Sequence, residues 1–455
     1  MLRFGTDGVR GVALTELTPD YVFTLGAAAA RVLGAGTWIV GRDTRQSGPV
    51  LEIALVGGLR SMGAVVEVCG VLPTPALAHL SAVRHAPAAM ITASHNPYTD
   101  NGVKIFAAGG LKLRDDVEQR IEHELESRLR ESDEPREPAV APGQPPVEVA
   151  GELVESSNAV DAYVRYITGL FPPRVLDGMR IVLDCANGAT SVTAPAVVAA
   201  LGAEVVAIHA EPNGTNINDH CGATDTASLA DAVVARQADL GLAFDGDGDR
   251  VIAIDNDGNR VDGDRLIALG ALQLRSEGTL TDDTVVVTVM SNIGFHRAMR
   301  SAGIEVVATA VGDRYVLEAL EAGNFAIGGE QSGHIIYPHL ATTGDGLLAG
   351  LKLAQRVHSS TRSLAEIADA VMTTYPQVLV NVEVRERHPD IATELAADIA
   401  AAERELGEDG RVLLRPSGTE PLVRVMVEAR TDEHAAEVAK QLANVVRQRF
   451  TDRAG

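Results

Sequence analysis

Short apolar runs alternate with longer stretches of helical periodicity along most of the chain. Runs at 37–40, 88–91 and 180–184 are too short for buried helices and predict strands. The apolar spacing over 19–33 and 264–275 predicts amphipathic helices. Repeated alternation of the two patterns indicates an α/β protein, in which ligand-binding groups follow the carboxyl ends of strands.

This alternation divides the chain into three related α/β units, each with an unusual polar loop at a strand end. The last stretch differs, because its strand-helix-strand-strand-helix order predicts a separate α+β domain. A charged and proline-rich stretch over 131–146 is typical of a long surface connection. We therefore predict domains over 1–152, 153–256, 257–370 and 371–455.

Composition and charge narrow the class of protein. Hydrophobic residues make up 46% of the chain, enough for several cores, and the formal net charge is −23. That charge argues against nucleic acid or an anionic membrane as a partner, because both require clustered positive charge. The chain has no apolar run of bilayer length and no leader-like N-terminus, so we expect a cytoplasmic protein. The spacing of Cys69, Cys185 and Cys221 predicts neither a disulfide nor a zinc site.

Ser94 is the candidate nucleophile. It follows the apolar run 88–91, and Asn96-Pro97 disfavours continuation of either a strand or a helix. The hydroxyl should therefore lie in a turn whose backbone N–H groups can face an anion. A serine that only caps a helix is the alternative, and for Ser94 taken alone it is the commoner case.

Asp245, Asp247 and Asp249 alternate with glycines directly after the strand-like run 240–244. The intervening glycines allow three carboxylates to converge, which predicts a Mg²⁺ or Ca²⁺ site. A calcium loop would need a Gly at position 250 and a Glu at position 256, where the chain has Arg and Asn. A solvated acidic turn is the remaining alternative to a magnesium site.

Four further polar stretches carry groups that suit an anion or a sugar. Arg10 stands in the glycine-rich segment 4–11, and Lys104 stands in the polar stretch 101–104. The segment 415–421 joins a guanidinium, hydroxyls and a glycine, the mixture that a phosphate monoester requires, although a plain hairpin turn would also explain its Pro and Gly. Its candidate phosphate ligands are Arg415, Ser417, Gly418 and Thr419, with Arg424 in the next strand. Polar groups for sugar hydroxyls lie in the loop 329–334, at Glu330, Ser332 and His334.

With Ser94, the three aspartates, the loop 329–334 and the segment 415–421 in this order, the chain resembles the α-D-phosphohexomutase superfamily over essentially its whole length. The resemblance implies three α/β units with mixed sheets around a cleft and a C-terminal α+β phosphate-binding domain. The segment 4–11, and the loop 329–334 with Gln331 between Glu and Ser, look most like the bacterial branch that acts on glucosamine phosphates. Mutases for glucose or mannose phosphates, and a non-catalytic phosphosugar-binding protein, remain the alternatives.

The resemblance also implies roles for residues. Ser94 would carry a phosphoryl group, and one Mg²⁺ per chain would be held by Asp245, Asp247, Asp249 and a phosphoserine oxygen. Arg10, Lys104 and His95 would act around the transferring group. A bisphosphorylated hexose would serve as activator and intermediate, and Ser94 would first be phosphorylated by that sugar or by a protein kinase. A hexosamine phosphate feeding UDP-N-acetylglucosamine and cell-wall synthesis would be the substrate, and a homodimer is the oligomeric state that the family suggests.

Overall fold

The computed structural model describes residues 2–5, 8–133, 151–416 and 421–451. Most of the charged and proline-rich connection, and the phosphate-loop candidates Ser417, Gly418 and Thr419, lie outside these residues. The chain separates into two compact units. The first comprises Met1–Met290 and Glu305–Ala368, and the second comprises Ser291–Ile304 and Asp369–Gly455.

The first sheet of unit 1 is mixed and has the strand order β1-β2-β6-β5-β3-β4-β8, with β7 paired to β6. Its strands are β1 (Phe4–Gly5), β2 (Gly8–Val12), β3 (Thr37–Arg42), β4 (Val65–Val71), β5 (Ala88–Ile91), β6 (Asp100–Ala107), β7 (Leu111–Lys112) and β8 (Leu153–Glu155). Its helices are α1 (Pro19–Leu33), α2 (Gly48–Ser61), α3 (Thr74–Arg84) and α4 (Asp115–Asp133). Strand β5 runs parallel to β3 and antiparallel to β6, so the loop after β5 returns directly into β6.

Helix α1 begins and packs for reasons visible in the sequence. The Thr18 hydroxyl accepts a hydrogen bond from the backbone N–H of Tyr21, and Pro19 takes the first helical position, where its missing N–H is no loss. Helix α2 approaches α1 so closely that a Cβ at Gly58 would lie 1.9 Å from the Phe23 carbonyl oxygen. Only glycine allows this contact, which closes the apolar core beside the sheet.

The second sheet of unit 1 has the order β10-β9-β11-β12-β13 and is also mixed. Its strands are β9 (Arg180–Asp184), β10 (Glu204–Ile208), β11 (Leu240–Phe244), β12 (Val251–Asp255) and β13 (Arg260–Val261), with helices α5 (Ala159–Gly169), α6 (Ala194–Ala200) and α7 (Ala227–Arg236). Every residue of β11 is buried, which explains its unbroken apolar run. The carboxyl ends of the adjacent parallel strands β9 and β11 open into polar loops.

The third sheet of unit 1 has the order β15-β14-β16-β17. The elements in this part of the chain are α8 (Gly263–Ser276), β14 (Thr284–Thr288), α9 (Ile293–Ser301), β15 (Glu305–Thr309), α10 (Asp313–Gly323), β16 (Gly328–Gly329), β17 (Ile335–Ile336), α11 (Gly346–His358) and α12 (Leu364–Val371). Helix α9 belongs to unit 2. Short 3-10 turns occur at Ala189–Val192, Gly222–Thr224, Thr281–Asp283 and Gly407–Asp409.

Unit 2 contains an antiparallel sheet of order β18-β20-β19. Its elements are β18 (Gln377–Glu383), α13 (Ile391–Glu394), α14 (Ala396–Leu406), β19 (Arg411–Pro416), β20 (Leu422–Glu428) and α15 (Asp432–Phe450). Helix α9 is joined to this sheet through buried Glu428, which accepts from the backbone N–H of Ile293 at 2.9 Å. Arg411 pairs with the same carboxylate at 3.1 Å.

The α/β class with mixed sheets and a C-terminal α+β domain is confirmed. Helices α13 and α14 are separated at Leu395, whose φ of −110° and ψ of 17° lie outside the helical range. Helix α10 begins at Asp313, directly after Gly312. The glycine-rich segment 4–11 contributes strands β1 and β2, and a Cβ at Gly8 would lie 2.3 Å from the Val103 carbonyl oxygen. That glycine therefore permits close approach to β6.

Candidate active site

Ser94 lies in a tight turn between β5 and β6 and is fully buried. Its φ of +52° is in the left-handed region, where a side chain other than Asn or Asp is uncommon. The backbone N–H donates to Thr92 Oγ1 at 2.9 Å, which fixes the turn, and Ser94 Oγ donates to Asp245 Oδ2 at 2.5 Å. No helix follows within the described turn, so the helix-capping alternative does not apply.

Arg45, which the sequence did not single out, holds the Ser94 turn in place. Its side chain is fully buried, and its guanidinium Nε donates to Asp43 Oδ2 at 2.9 Å. The remaining guanidinium N–H groups donate to carbonyl oxygens of Ser94 (2.9 Å), Asn96 (2.8 Å), Asp100 (3.0 Å) and Pro97. One planar fork thus fixes both ends of the turn. The only signal in the sequence is an arginine in the loop directly after strand β3.

Asn218 supports the same turn from the second sheet. Its side-chain amide donates to the carbonyl oxygens of Ser94 at 2.9 Å and Asn96 at 3.0 Å. Its own backbone is left-handed, with φ at +56°, and its N–H donates to the Ala186 carbonyl. The polar loop before the 3-10 turn at Gly222 therefore positions the candidate nucleophile, a contact that local sequence patterns do not reveal.

The loop after β11 brings Asp245, Asp247 and Asp249 together. All three are buried, and one carboxylate oxygen of each lies within 4.8 Å of the others. Gly246 makes the close approach possible, because a Cβ there would lie 2.6 Å from the Ser94 carbonyl oxygen. The structure therefore confirms convergence of the three carboxylates next to Ser94, as their spacing predicts.

A single ammonium group partly neutralises this cluster. Lys104, only 3% exposed, places Nζ 2.8 Å from both Asp247 Oδ2 and Asp249 Oδ2. Thr74 Oγ1 also donates to Asp247 Oδ2 at 2.6 Å. Asp247 Oδ1 and Asp249 Oδ1 are buried without a hydrogen bond, although Asp249 Oδ1 lies 3.6 Å from His334 Nδ1 and 3.8 Å from Arg250 Nε. Because buried carboxylate oxygens without hydrogen bonds are costly, this set of hard ligands fits a divalent cation.

The pKa values of Asp245 and Asp249 are shifted in opposite directions. Burial, followed by repulsion from Asp249 and Asp247, raises the pKa of Asp245 well above its usual range. Burial also opposes ionisation of Asp249, but Lys104, His334 and Arg250 outweigh it and hold the pKa of that carboxyl well below its usual range. A divalent cation would relieve the repulsion that penalises ionised Asp245.

His95 lies beside the candidate nucleophile, with Nδ1 3.5 Å from Ser94 Oγ. Burial and the nearby guanidinium groups of Arg250 and Arg10 lower the pKa of His95 to about 4. The imidazole is therefore neutral at pH 7, so one of its ring nitrogens can accept a hydrogen bond.

A cavity of about 380 Å³ opens beside the carboxylates. Its lining residues are Arg3, Gly5, Gly8, Arg10, Asp249, Arg250, Val311, Gly312, Asp313, Glu330 and His334. Its walls carry three guanidinium groups and three carboxylates. A cavity of this size, with both charged acceptors and donors, suits a small polar ligand whose anionic group can meet the arginines.

The loop between β16 and β17 contributes two of its three predicted residues to this cavity. Glu330 Oε1 accepts from the Gly312 backbone N–H at 3.1 Å. His334 is buried between two carboxylates, with Nδ1 3.6 Å from Asp249 Oδ1 and Nε2 3.4 Å from Asp313 Oδ2. Burial lowers the pKa of His334, but these carboxylates outweigh it and raise the value. Ser332 is exposed and does not line the cavity.

In unit 2, Arg415 and Arg424 lie directly opposite each other on the antiparallel strands β19 and β20. Both are partly buried, and the Arg424 Nε atom is buried without a hydrogen bond. Like charges opposite each other on one face are unfavourable unless an anion lies between or above them. This pairing is therefore a candidate anion site.

Four family models cover the chain in order. They are described as phosphoglucomutase/phosphomannomutase alpha/beta/alpha domains I, II and III, matching residues 1–131, 161–258 and 262–375, and the C-terminal domain, matching 379–445. Together with the fold and the serine beside three carboxylates, these matches define a phosphohexomutase. The chain belongs to the phosphoglucomutase/phosphomannomutase family.

Among curated relatives, proteins named phosphoglucosamine mutase are similar over nearly the full chain. The protein from Rhodococcus opacus is 52% identical over 451 residues, which cover 97% of this chain and 98% of that protein. The protein from Mycobacterium leprae is 50% identical over 452 residues, covering 97% and 94%. The shared identity extends through all four matched domains.

Solved structures agree on the fold. A putative phosphomannomutase from Thermus thermophilus has a TM-score of 0.78 at 26% identity and covers 97% of this chain and 99% of its own. An Aspergillus fumigatus N-acetylphosphoglucosamine mutase, solved with GlcNAc-6P and magnesium, has a TM-score of 0.70 at 20% identity and covers 98% and 96%. In the part of our chain that the structure describes, none of the helices combines the length and apolar character needed to cross a bilayer.

Proposed function

We propose that this enzyme is a phosphoglucosamine mutase that interconverts glucosamine 6-phosphate and glucosamine 1-phosphate. The contact of Ser94 Oγ with Asp245 Oδ2, at the edge of a three-carboxylate cluster, carries the proposal. It places a hydroxyl where a phosphoryl group on it would meet a divalent cation. The sugar is inferred from the name shared by relatives that are about half identical over nearly the full chain.

The proposed reaction passes one phosphoryl group through Ser94. The P–O bond to Ser94 Oγ breaks as a bond forms to O1 of glucosamine 6-phosphate, which gives the 1,6-bisphosphate. After reorientation, the phosphoryl group on O6 returns to Ser94 Oγ and glucosamine 1-phosphate leaves. Over the cycle, O1 loses a proton and O6 gains one. Arg45 and Asn218 contribute by holding the Ser94 turn for in-line transfer.

Asp245, Asp247 and Asp249 are the proposed ligands of one Mg²⁺, together with an oxygen of phosphorylated Ser94. When bound, Mg²⁺ neutralises charge on the phosphoryl oxygens. Lys104 lies on the same carboxylates, where its ammonium can stabilise the transferring group, and Arg10 lines the adjoining cavity. His95, neutral and beside Ser94 Oγ, can accept a hydrogen bond from a reacting hydroxyl.

The remaining roles concern substrate binding. Glu330 and His334 line the cavity and are proposed to bind sugar hydroxyls, with Ser332 in the same loop. In unit 2, Arg415 and Arg424 are proposed to bind a phosphate group. The Ser417 and Thr419 hydroxyls and the backbone of Ser417, Gly418 and Thr419 are proposed to bind it as well. Arg424 Nε, which is buried without a hydrogen bond, supports this assignment because an anion would satisfy it.

We further propose that the enzyme becomes active once Ser94 is phosphorylated, either by a bisphosphorylated hexose or by a protein kinase. The fully buried hydroxyl favours the small sugar donor, because a kinase would need the turn to open. A homodimer is proposed only by analogy with the family.

Phosphorus NMR tests the sugar and the mechanism together. The purified protein is given Mg²⁺, a catalytic amount of bisphosphate sugar, and glucosamine, glucose or mannose 6-phosphate in separate samples. We expect the amino sugar to be converted fastest and Ser94→Ala to lose turnover while it still binds sugar phosphate. Faster conversion of glucose or mannose phosphate would overturn the choice of sugar. Turnover by Ser94→Ala would overturn the role of Ser94.

A further inference from the structure

A second cluster of metal-ligating side chains lies in unit 1, apart from the three aspartates. It consists of Asp184 at the end of β9, His209 directly after β10, and Cys221 before the 3-10 turn at Gly222. One ligand atom of each lies within 4.8 Å of the other two. Asp184 ends strand β9, while His209 and Cys221 stand at the two ends of the connection between β10 and the 3-10 turn. Their spacing in the sequence gives no sign of the cluster.

The side chains have the burial that a metal site needs. Asp184 and Cys221 are fully buried, whereas the His209 side chain is 30% exposed. The imidazole reaches the surface, while its Nδ1 atom is buried together with Asp184 and Cys221. Cys221 is a free thiol, so its sulfur is available as a ligand.

Hydrogen bonds fix the orientation of the Asp184 carboxylate but leave lone pairs on its oxygens unused. Asp184 Oδ1 accepts from the Ala186 N–H at 2.9 Å, and Oδ2 accepts from the Gly222 N–H at 2.9 Å. Each oxygen keeps a further lone pair. His209 Nδ1 lies 3.1 Å from Asp184 Oδ2, yet it is a buried nitrogen that makes no hydrogen bond. The ring nitrogen and the carboxylate oxygen are thus close to each other but do not have hydrogen-bond geometry.

We propose that Asp184, His209 and Cys221 form a binding site for a zinc-type divalent cation. A carboxylate, an imidazole and a thiolate with one open position are a usual ligand set for Zn²⁺, and the sulfur disfavours Mg²⁺. Binding replaces the thiol proton, which is released to solvent, and forms the metal–sulfur bond. The thiolate and carboxylate charges then balance the charge of the ion.

The site would connect to the Ser94 turn through two loops. Asp184 bonds to the backbone of Ala186 and Gly222, and the Asn218 N–H donates to the Ala186 carbonyl at 3.0 Å. The Asn218 side chain in turn donates to the carbonyl of Ser94. A cation on these loops would therefore act structurally, by fixing the support of the candidate nucleophile.

Cobalt titration of the full-length protein tests the proposal. The reduced protein is saturated with Mg²⁺ and titrated with Co²⁺, which gives a sulfur-to-metal charge-transfer band only when a thiolate is a ligand. We expect a band that saturates near about one equivalent and is displaced by Zn²⁺. The band should be lost in Cys221→Ser and retained in Cys69→Ser, the matched buried-cysteine control. It should also be retained in Asp245→Asn, which changes the other cluster.

His209→Ala provides a second variant, because this partly exposed side chain can be removed with less risk to folding. Loss of a direct ligand should weaken Co²⁺ binding at least about tenfold, a lower bound taken from the effect of losing outer-shell partners. The proposal is overturned if folded wild-type protein gives no charge-transfer band, or if the band survives Cys221→Ser. Should Cys221→Ser fail to fold by circular dichroism, unchanged cobalt affinity in His209→Ala is the result that rejects the site.

Discussion

Two clusters of potential metal ligands follow the adjacent strands β9 and β11, and they are built in different ways. The cluster after β11 has three carboxylates from one five-residue loop, with alternate positions and intervening glycines. The cluster after β9 takes one carboxylate from the end of β9, and one imidazole and one thiol from the two ends of the connection that follows β10. Hard oxygens alone suit Mg²⁺, whereas the mixed set suits a zinc-type ion. Local spacing therefore reveals the first kind of site and conceals the second.

The clusters also differ in how much protein supports them. Lys104 and Thr74 bind the carboxylates after β11, and Arg45 fixes the serine turn beside them. The cluster after β9 is oriented by two backbone N–H groups. The first cluster is thus preorganised for charge that changes during a reaction, while the second suits a structural ion. The predictions below test this contrast.

The largest expected effect is that of Asp247→Asn. The change preserves shape but removes a carboxylate that has one oxygen on Lys104 and Thr74 and one buried oxygen without a hydrogen bond. We expect mutase activity to fall at least about 10³-fold, since charge neutralisation is the main catalytic device in phosphoryl transfer. A coupled enzymatic assay measures the loss of activity, and magnesium titration calorimetry measures the loss of magnesium affinity.

Asp257→Asn is the matched control, because Asp257 is an exposed carboxylate in the turn after β12. It should keep both activity and magnesium affinity. If Asp247→Asn turned over like wild type, the catalytic role of the carboxylate cluster would be rejected, and the cluster would be no more than an acidic turn.

Arg45→Lys should have the next largest effect. Lysine keeps the charge beside Asp43 but cannot present a planar fork to four carbonyl oxygens. Displacement of Ser94 by about 1 Å would lower kcat about 100-fold. Hydrogen exchange over residues 94–100 should quicken, which reports on the turn independently of activity.

Arg60→Lys serves as the comparison, because Arg60 donates to a single carbonyl, that of Gly151 at 3.0 Å. Only a small change in rate is expected there. Equal rates and equal exchange in Arg45→Lys and wild type would mean that the turn holds its shape without the guanidinium fork.

Much of the architecture could be predicted because it rests on local patterns. Helix α1 begins and ends where Thr18, Pro19 and the apolar spacing indicate. The three carboxylates converge because their loop alone can arrange them. The phosphate ligands predicted over 417–419 lie outside the described residues, and their role stays a prediction.

What the sequence concealed depends on contacts between distant segments. Arg45, Asn218 and Thr74 contact the serine turn or the carboxylates, yet each lies in an unremarkable local pattern. For Lys104, the sequence indicates a polar stretch and the family resemblance implies a role around the transferring group, but neither predicts that its ammonium pairs with two carboxylates of the loop after β11. Such contacts become visible only once the sheet order is known.

Asp345 offers a smaller test, as a buried carboxyl with ordinary protein donors. Its oxygens accept from the Tyr163 hydroxyl at 2.8 and 3.0 Å and from the Leu348 N–H at 2.9 Å. Burial raises the pKa of Asp345 to about 6 from an ordinary value of 3.8, although hydrogen bonds from Leu348, Tyr163 and Leu347 oppose the rise. The folded state therefore binds this proton more tightly than the unfolded chain does, and ionisation costs stability as pH rises from about 4 to about 6.

Asp345→Asn removes this titration while retaining an acceptor for Leu348. Relative to wild type, the variant should gain up to about 3 kcal/mol in unfolding free energy between pH 4 and pH 7, from a shift of about two pKa units. Urea unfolding with a chelator present, so that divalent cations contribute to neither protein, measures the difference at each pH. Asp231→Asn, an exposed change on α7, should show no such trend. If the difference in unfolding free energy between Asp345→Asn and wild type did not change with pH, tyrosine and backbone donors alone would suffice to keep a buried carboxylate ionised. Burial of carboxylates would then not by itself indicate a cation at the two clusters, and metal binding there would have to be measured directly.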